Sequence, residues 1–283
     1  MNYLKEIIFD TLIDGIKLLP FLFFAFLIIE LIEHKFDKKT KNIITKSGKY
    51  GPIIGSLLGL VPQCGFSVAA ANLYITRVIS LGTMFSIYLA TSDEMIPVMI
   101  SHNVSIKIIV TILIIKLISG MFFGFIIDRL FLKKTNSNYN YEICDKEHCD
   151  CKHSIFISSL KHTFKTFIFI VLVSFVLNVI MEYFGSKLVS NIFMKNSLFG
   201  PFIGSLIGLI PNCASSVILT ELFLQNVINF GTCIAGLVSG CGIALIVLFK
   251  TNKNIKENLF ILLSLYLIGV LVGIIVNLMG III

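Results

Sequence analysis

The stretch Gly51–Ser67, GPIIGSLLGLVPQCGFS, returns 149 positions later as GPFIGSLIGLIPNCASS, Gly200–Ser216. At that fixed offset seventeen of the thirty-three positions from Gly51 to Thr83 are identical, and Gly120 and Gly124 fall on Gly269 and Gly273. An ungapped match of this length is an internal duplication. The chain therefore folds as two copies of one unit, each with a Pro-x-Cys interruption inside an apolar segment. Proline removes a backbone donor and disfavours helix at the residue before it. Each copy is thus expected to contain a broken helix, either one span with an unwound centre or two half-helices that turn back at the break.

The solvent of these units follows from composition. Of 283 residues, 56% are hydrophobic and only 14% charged, with mean hydropathy +0.94. Several apolar runs reach the ~20 residues that a helix needs to cross a bilayer. The expected class is an all-α polytopic membrane protein, with the lipid bilayer as its surroundings. The first run, from about Leu4 to Ile32, is too long and too charged for a cleaved leader. The net charge of +7 sits mostly in loops beside apolar runs, where Lys and Arg orient helices. No soluble basic domain is present, so a nucleic-acid partner is excluded. Four of the seven cysteines lie in apolar segments and three crowd one loop, which is not a secreted disulfide framework.

Charge also addresses topology. If each broken segment returns to its own side, the lysine-rich loop 34–50, Arg77, the loop 133–152 and the loop 250–256 share one side. The opposite side then keeps only Lys5, Lys107, Lys187 and Lys195 near helix ends. A single crossing of each broken segment would make the repeats parallel and move the 133–152 loop outside. The positive-inside rule favours the first arrangement, in which the repeats are inverted. The expected organisation is a first transmembrane repeat over 1–132, a Cys/His-rich loop over 133–154 and a second repeat over 155–283. Single spans are expected over Ser80–Ile100 and Phe230–Phe249.

Non-helical backbone at membrane depth is tolerated only in protein or beside a cavity, which directs attention to the breaks. Cys64 and Cys213 follow them at matched positions. A thiolate there is a ligand for soft ions and is favoured by the positive end of a following helix. Gln63 and Asn212 are matched polar neighbours, as are Ser67 and Ser216. Asp93 and Glu94 lie deep in an apolar span, opposite Gly242 and Ile243 of the other copy, and Glu221 stands opposite Asn72. Carboxylates in a bilayer are costly and mark ion or proton pathways. Lys116 is an available ion-pair partner for them, and Asp14 with Lys17 reads as a structural pair. The central loop packs Cys144, His148, Cys149, Cys151 and His153 into ten residues, donors suited to soft or borderline metals. Cys233 and Cys241 have no matched cysteine and receive no role. No P-loop, phosphorylation motif or nucleotide fingerprint is present, so no resident cofactor is called for, and transport would draw on an existing gradient or a partner ATPase.

The sequence resembles the ten-transmembrane heavy-metal exporter family, whose members carry labels of arsenic efflux protein or manganese permease. The resemblance rests on LGLVPQCGFSVAAANLY (Leu58–Tyr74), LATSDEMIP (Leu89–Pro97), GLIPNCASSVILTEL (Gly208–Leu222) and the Cys/His-rich loop, and it covers essentially the whole chain. It implies a non-enzymatic permease that exports a toxic metal or metalloid across the plasma membrane of a prokaryote. The residues alone leave two rivals. A membrane thiol–disulfide oxidoreductase would use Cys64 and Cys213 as a redox pair, and a passive channel would conduct without coupling.

Overall fold

The structure is a computed structural model. It describes residues 50–61, 64–92, 95–131, 199–212 and 214–280, together with individual helical positions between 13 and 27 and between 156 and 175. The described residues contain helices and no strands. Ten helices have defined bounds among them: α1 (Gly51–Gly59), α2 (Cys64–Ile75), α3 (Leu81–Ala90), α4 (Met95–Ser101), α5 (Ile106–Phe131), α6 (Gly200–Gly208), α7 (Ala214–Leu224), α8 (Phe230–Ser239), α9 (Ala244–Thr251) and α10 (Ile255–Leu278). The sequence offset reappears in these bounds. Helix α1 shifted by 149 gives 200 to 208, the limits of α6, and α3 shifted by 149 gives 230 to 239, the limits of α8.

The matched bounds have matched local causes. Pro52 and Pro201 open α1 and α6, at a position where the missing donor would have had no partner. Ser80 caps α3 by accepting from the Thr83 N–H, and Asn229 caps α8 by accepting from the Thr232 N–H. Such caps satisfy backbone donors that the first turn leaves orphaned.

The span expected over Ser80–Ile100 is interrupted: α3 stops at Ala90 and α4 begins at Met95. The second half repeats this, with α8 stopping at Ser239 and α9 beginning at Ala244. In the first half the Thr91 hydroxyl donates to the Ile87 carbonyl at 2.7 Å and the Ser92 hydroxyl to the Ala90 carbonyl at 3.2 Å. These side chains compete for backbone groups that a continuing helix would need. In the second half the chain turns at Gly242, whose φ of 54° is a left-handed conformation open to glycine.

Three described stretches are long and apolar enough to cross a membrane: Ile106–Phe131, Ile255–Leu278, and Phe230–Thr251, which takes in α8, the break and α9. Along α5, Ile106, Val110, Ile114, Ile118 and Phe122 are exposed, while Ile112, Lys116, Ser119 and Gly120 are buried. Spacing by four puts the exposed set on one stripe, the outward face that lipid requires. Helix α10 does the same with Leu259, Leu263, Leu267, Leu271 and Ile275.

Within each half three helices pack together, α1, α3 and α5 in the first and α6, α8 and α10 in the second. They approach at backbone distance because glycine lies at each crossing. A Cβ on Gly120 would stand 2.9 Å from the Ser86 carbonyl oxygen, and one on the matched Gly269 would stand 2.7 Å from the Ala235 carbonyl oxygen. Small residues at helix crossings allow the close van der Waals packing that drives association in lipid. The halves join through α2 against α9, α4 against α7, and α3 against α8. The first two of these contacts exchange under the 149-residue shift.

Candidate functional site

The interrupted helices converge on a small polar cavity with room for about one water-sized species. Thr91 and Ser92, from the break after α3, form part of its wall. Ser215 and Ser216 enter from the first turn of α7, and Gly236, Leu237, Gly240 and Gly242 from the end of α8 and the break beyond it. Lys116 reaches it from α5. The cavity thus lies between the N-terminal end of α7 and the C-terminal end of α8. These ends carry partial positive and partial negative charge respectively, so both cationic and electron-rich groups find a partner.

Hydrogen bonds hold the walls in place. Ser67, fully buried on α2, shares a 3.0 Å bond with the Thr91 hydroxyl. The Ser215 hydroxyl donates to the Asn212 carbonyl at 2.7 Å, and the Asn212 side chain accepts from the Ala214 N–H at 3.3 Å. Asn212 therefore closes the bend that leads into α7. The Lys116 amine, in a side chain only 1% exposed, donates to the Leu237 carbonyl.

The residues expected at the site divide into three groups. Ser216 lines the cavity, Ser67 supports it through Thr91, and Asn212 shapes the turn beside it. Glu221 lies farther along α7, where its carboxylate meets His102 Nε2 at 3.0 Å and Gln225 Nε2 at 3.4 Å, with its side chain 35% exposed. Cys64 opens α2, but its side chain is outside the described residues. So are Gln63, Asp93, Glu94, Cys213 and the loop residues Cys144, His148, Cys149, Cys151 and His153. Among the described residues no three of His, Cys, Asp and Glu gather into a metal-ligand cluster.

Sequence reasoning did not assign cavity roles to Ser215, Leu237, Thr91 or Ser92, and gave Lys116 only a pairing role. Ser215 was hidden because its matched residue is Phe66. For Lys116 a signal existed, since an ionisable residue within an apolar span is a functional candidate in its own right.

Two polar clusters bridge the halves away from the cavity. At one, the Tyr74 hydroxyl donates to Glu257, and Arg77 lies 3.4 Å from Glu257 and over the Tyr74 ring at 4.9 Å. Burial opposes the Arg77 charge, but Tyr74 and Glu257 more than offset it, and the guanidinium is held above its ordinary range. The other is the His102–Glu221 pair. Nearby polar contacts fix the ends of the long helices. Asp128, near the end of α5, accepts from the Gly82 N–H at 2.8 Å and the Ser80 hydroxyl at 2.7 Å. Its counterpart Asn277, near the end of α10, accepts from the Gly231 N–H at 3.1 Å.

No curated protein and no solved structure shows a significant match to the chain. One family model does match, over residues 3–188 and 151–281, and its description reads "Putative, 10TM heavy-metal exporter". Those two matches span nearly the whole chain. The apolar, all-helical architecture agrees with that description, and the chain belongs to the ten-transmembrane heavy-metal exporter family.

Proposed function

We propose that this chain is a proton-coupled secondary transporter that exports arsenite or a divalent metal such as manganese across the plasma membrane of a prokaryote. Its substrate binds at the central cavity. The observation that carries this reading is the polar cavity itself, walled by broken helices from both halves of an otherwise apolar protein. Non-helical backbone at membrane depth is tolerated where protein buries it or where it lines such a space.

Cys213 immediately precedes α7, whose first turn lines the cavity, and Cys64 opens the matched helix α2. In this reading the two thiols ligate the substrate, and Gln63, Asn212, Ser67 and Ser216 are its polar neighbours. Asp93 and Glu94 directly follow the cavity-lining Ser92 and carry the coupling protons, with Glu221 farther out on the path beside His102. The loop from Cys144 to His153 collects metal on the cytoplasmic side.

The two repeats, 1–132 and 155–283, are inverted relative to each other. Two chains of contact support this. Ser80 and Gly82 meet Asp128 near the end of α5, and Arg77, three residues earlier, meets Glu257 at the start of α10. His102, just before α5, meets Glu221, and the segment that follows Glu221 leads to Gly231, which meets Asn277 near the end of α10. The start of one long helix thus lies with the end of the other. Each break is read as a Pro-split helix that returns to its own side.

The test is uptake of arsenite, manganese and zinc into everted vesicles carrying a proton gradient. Wild type is compared with the Cys64→Ser/Cys213→Ser double variant. Gradient-dependent uptake abolished in the variant identifies the thiol site and its ligand. Uptake that survives moves the site to Asp93 and Glu94, and absence of all uptake overturns the exporter reading.

A further inference from the structure

Lys116 is buried to 1% exposure in the 26-residue helix α5. Lysines are almost never buried this deeply unless their charge is compensated. Its counterpart in the second half is Leu265, also fully buried. Packing at this register therefore does not require a charge.

The compensation includes a helix end. Helix α8 stops at Ser239, so carbonyls of its final turn lack intrahelical donors. One of them, Leu237, receives the Lys116 amine. Thr91, Ser92, Ser215 and Ser216 line the same cavity. Carbonyl and hydroxyl oxygens at the C-terminal end of an interrupted helix form a ligand set for a hard monovalent cation. An ammonium group is a compact point charge with three donors and no acceptor, so at the Leu237 carbonyl it stands where an alkali ion would.

We propose that the cavity between α5, α7 and the end of α8 is a cation site whose built-in occupant is the Lys116 ammonium, which an incoming cationic substrate must displace. The occupant gives selectivity. Alkali ions offer the oxygens no more charge than the lysine already supplies, whereas a divalent ion offers more and can compete. Only one half carries the lysine, so there is one such occupant per chain. The role of substrate as competitor rests on the exporter reading; the cation site does not.

The test is a binding measurement on the purified full-length chain in detergent. Melting temperatures are compared in sodium, potassium and choline chloride at equal ionic strength. Wild type should melt alike in all three. Lys116→Met should be stabilised by sodium or potassium over choline, saturably and by about 3 °C at concentrations well above the dissociation constant. Lys116→Gln, which keeps a donor for the Leu237 carbonyl but removes the charge, should respond in the same direction. A folded variant indifferent to the three salts overturns the proposal, as does a wild type that responds equally to sodium. Misfolding of both variants that neither sodium nor potassium reverses overturns it too. Metal uptake by wild type without a salt response in the variants removes the site and leaves the exporter. A salt response without any metal uptake does the opposite.

Discussion

The two halves share their scaffold and differ in their chemistry. Gly120 and Gly269 meet a carbonyl of a neighbouring helix in the same way, Ser80 and Asn229 cap matched helices, and Asp128 and Asn277 accept from matched backbone donors. Around the cavity the correspondence dissolves. The cavity-lining Thr91 and Ser92 stand against Gly240 and Cys241, and Lys116 against Leu265; in the sequence Asp93 and Glu94 are matched by Gly242 and Ile243. Close helix packing tolerates few substitutions, so duplicated copies keep it. A cavity walled by both copies needs a given polar group only once, and Lys116 lines it from one half alone.

The largest effects should be symmetric. Gly120→Val and Gly269→Val each force a side chain against a neighbouring carbonyl, with a cost of about 3 kcal/mol from overpacking. Both should lose most folded protein in a thermal-stability assay, and tolerance in one half alone would break the comparison. Next, Asp128→Leu strips the Gly82 N–H of its buried partner and should cost about 2 kcal/mol. Asp128→Asn, which copies Asn277 and keeps an acceptor for the Gly82 N–H, should cost no more than about 1 kcal/mol.

Chemical substitutions should be asymmetric. Asp93→Asn or Glu94→Gln should lower gradient-driven uptake at least tenfold, about 1.4 kcal/mol of barrier, while Ile243→Leu at the matched position should leave it nearly unchanged. The smallest effect is expected at the His102–Glu221 pair, which is partly exposed. Glu221→Gln should reduce uptake by no more than about threefold, in line with the modest worth of exposed ion pairs. A larger loss would bring Glu221 into the centre of the mechanism.

Much of the scaffold was legible because its causes are local. The duplicated motif, the prolines at 52 and 201 and the glycine spacing are all properties of short stretches. The interruption after Ala90 was less so. Apolar runs on both sides masked it, although Thr91 and Ser92 are residues whose hydroxyls compete for helix backbone. Among the site residues, Ser216 and Asn212 were found through the repeat, because duplication exposes what both copies retain. Ser215 and Leu237 were not, because their matched residues differ in kind or carry no polar side chain.

By itself the sequence determined that this protein is a duplicated, helical, membrane-embedded chain with polar breaks, since hydropathy, periodicity and proline act over a few residues. Only the tertiary structure decided that Lys116 meets the Leu237 carbonyl, 121 positions away in the chain. That contact exists because two separately interrupted helices end beside the same buried face of α5, and no local pattern encodes where such ends meet.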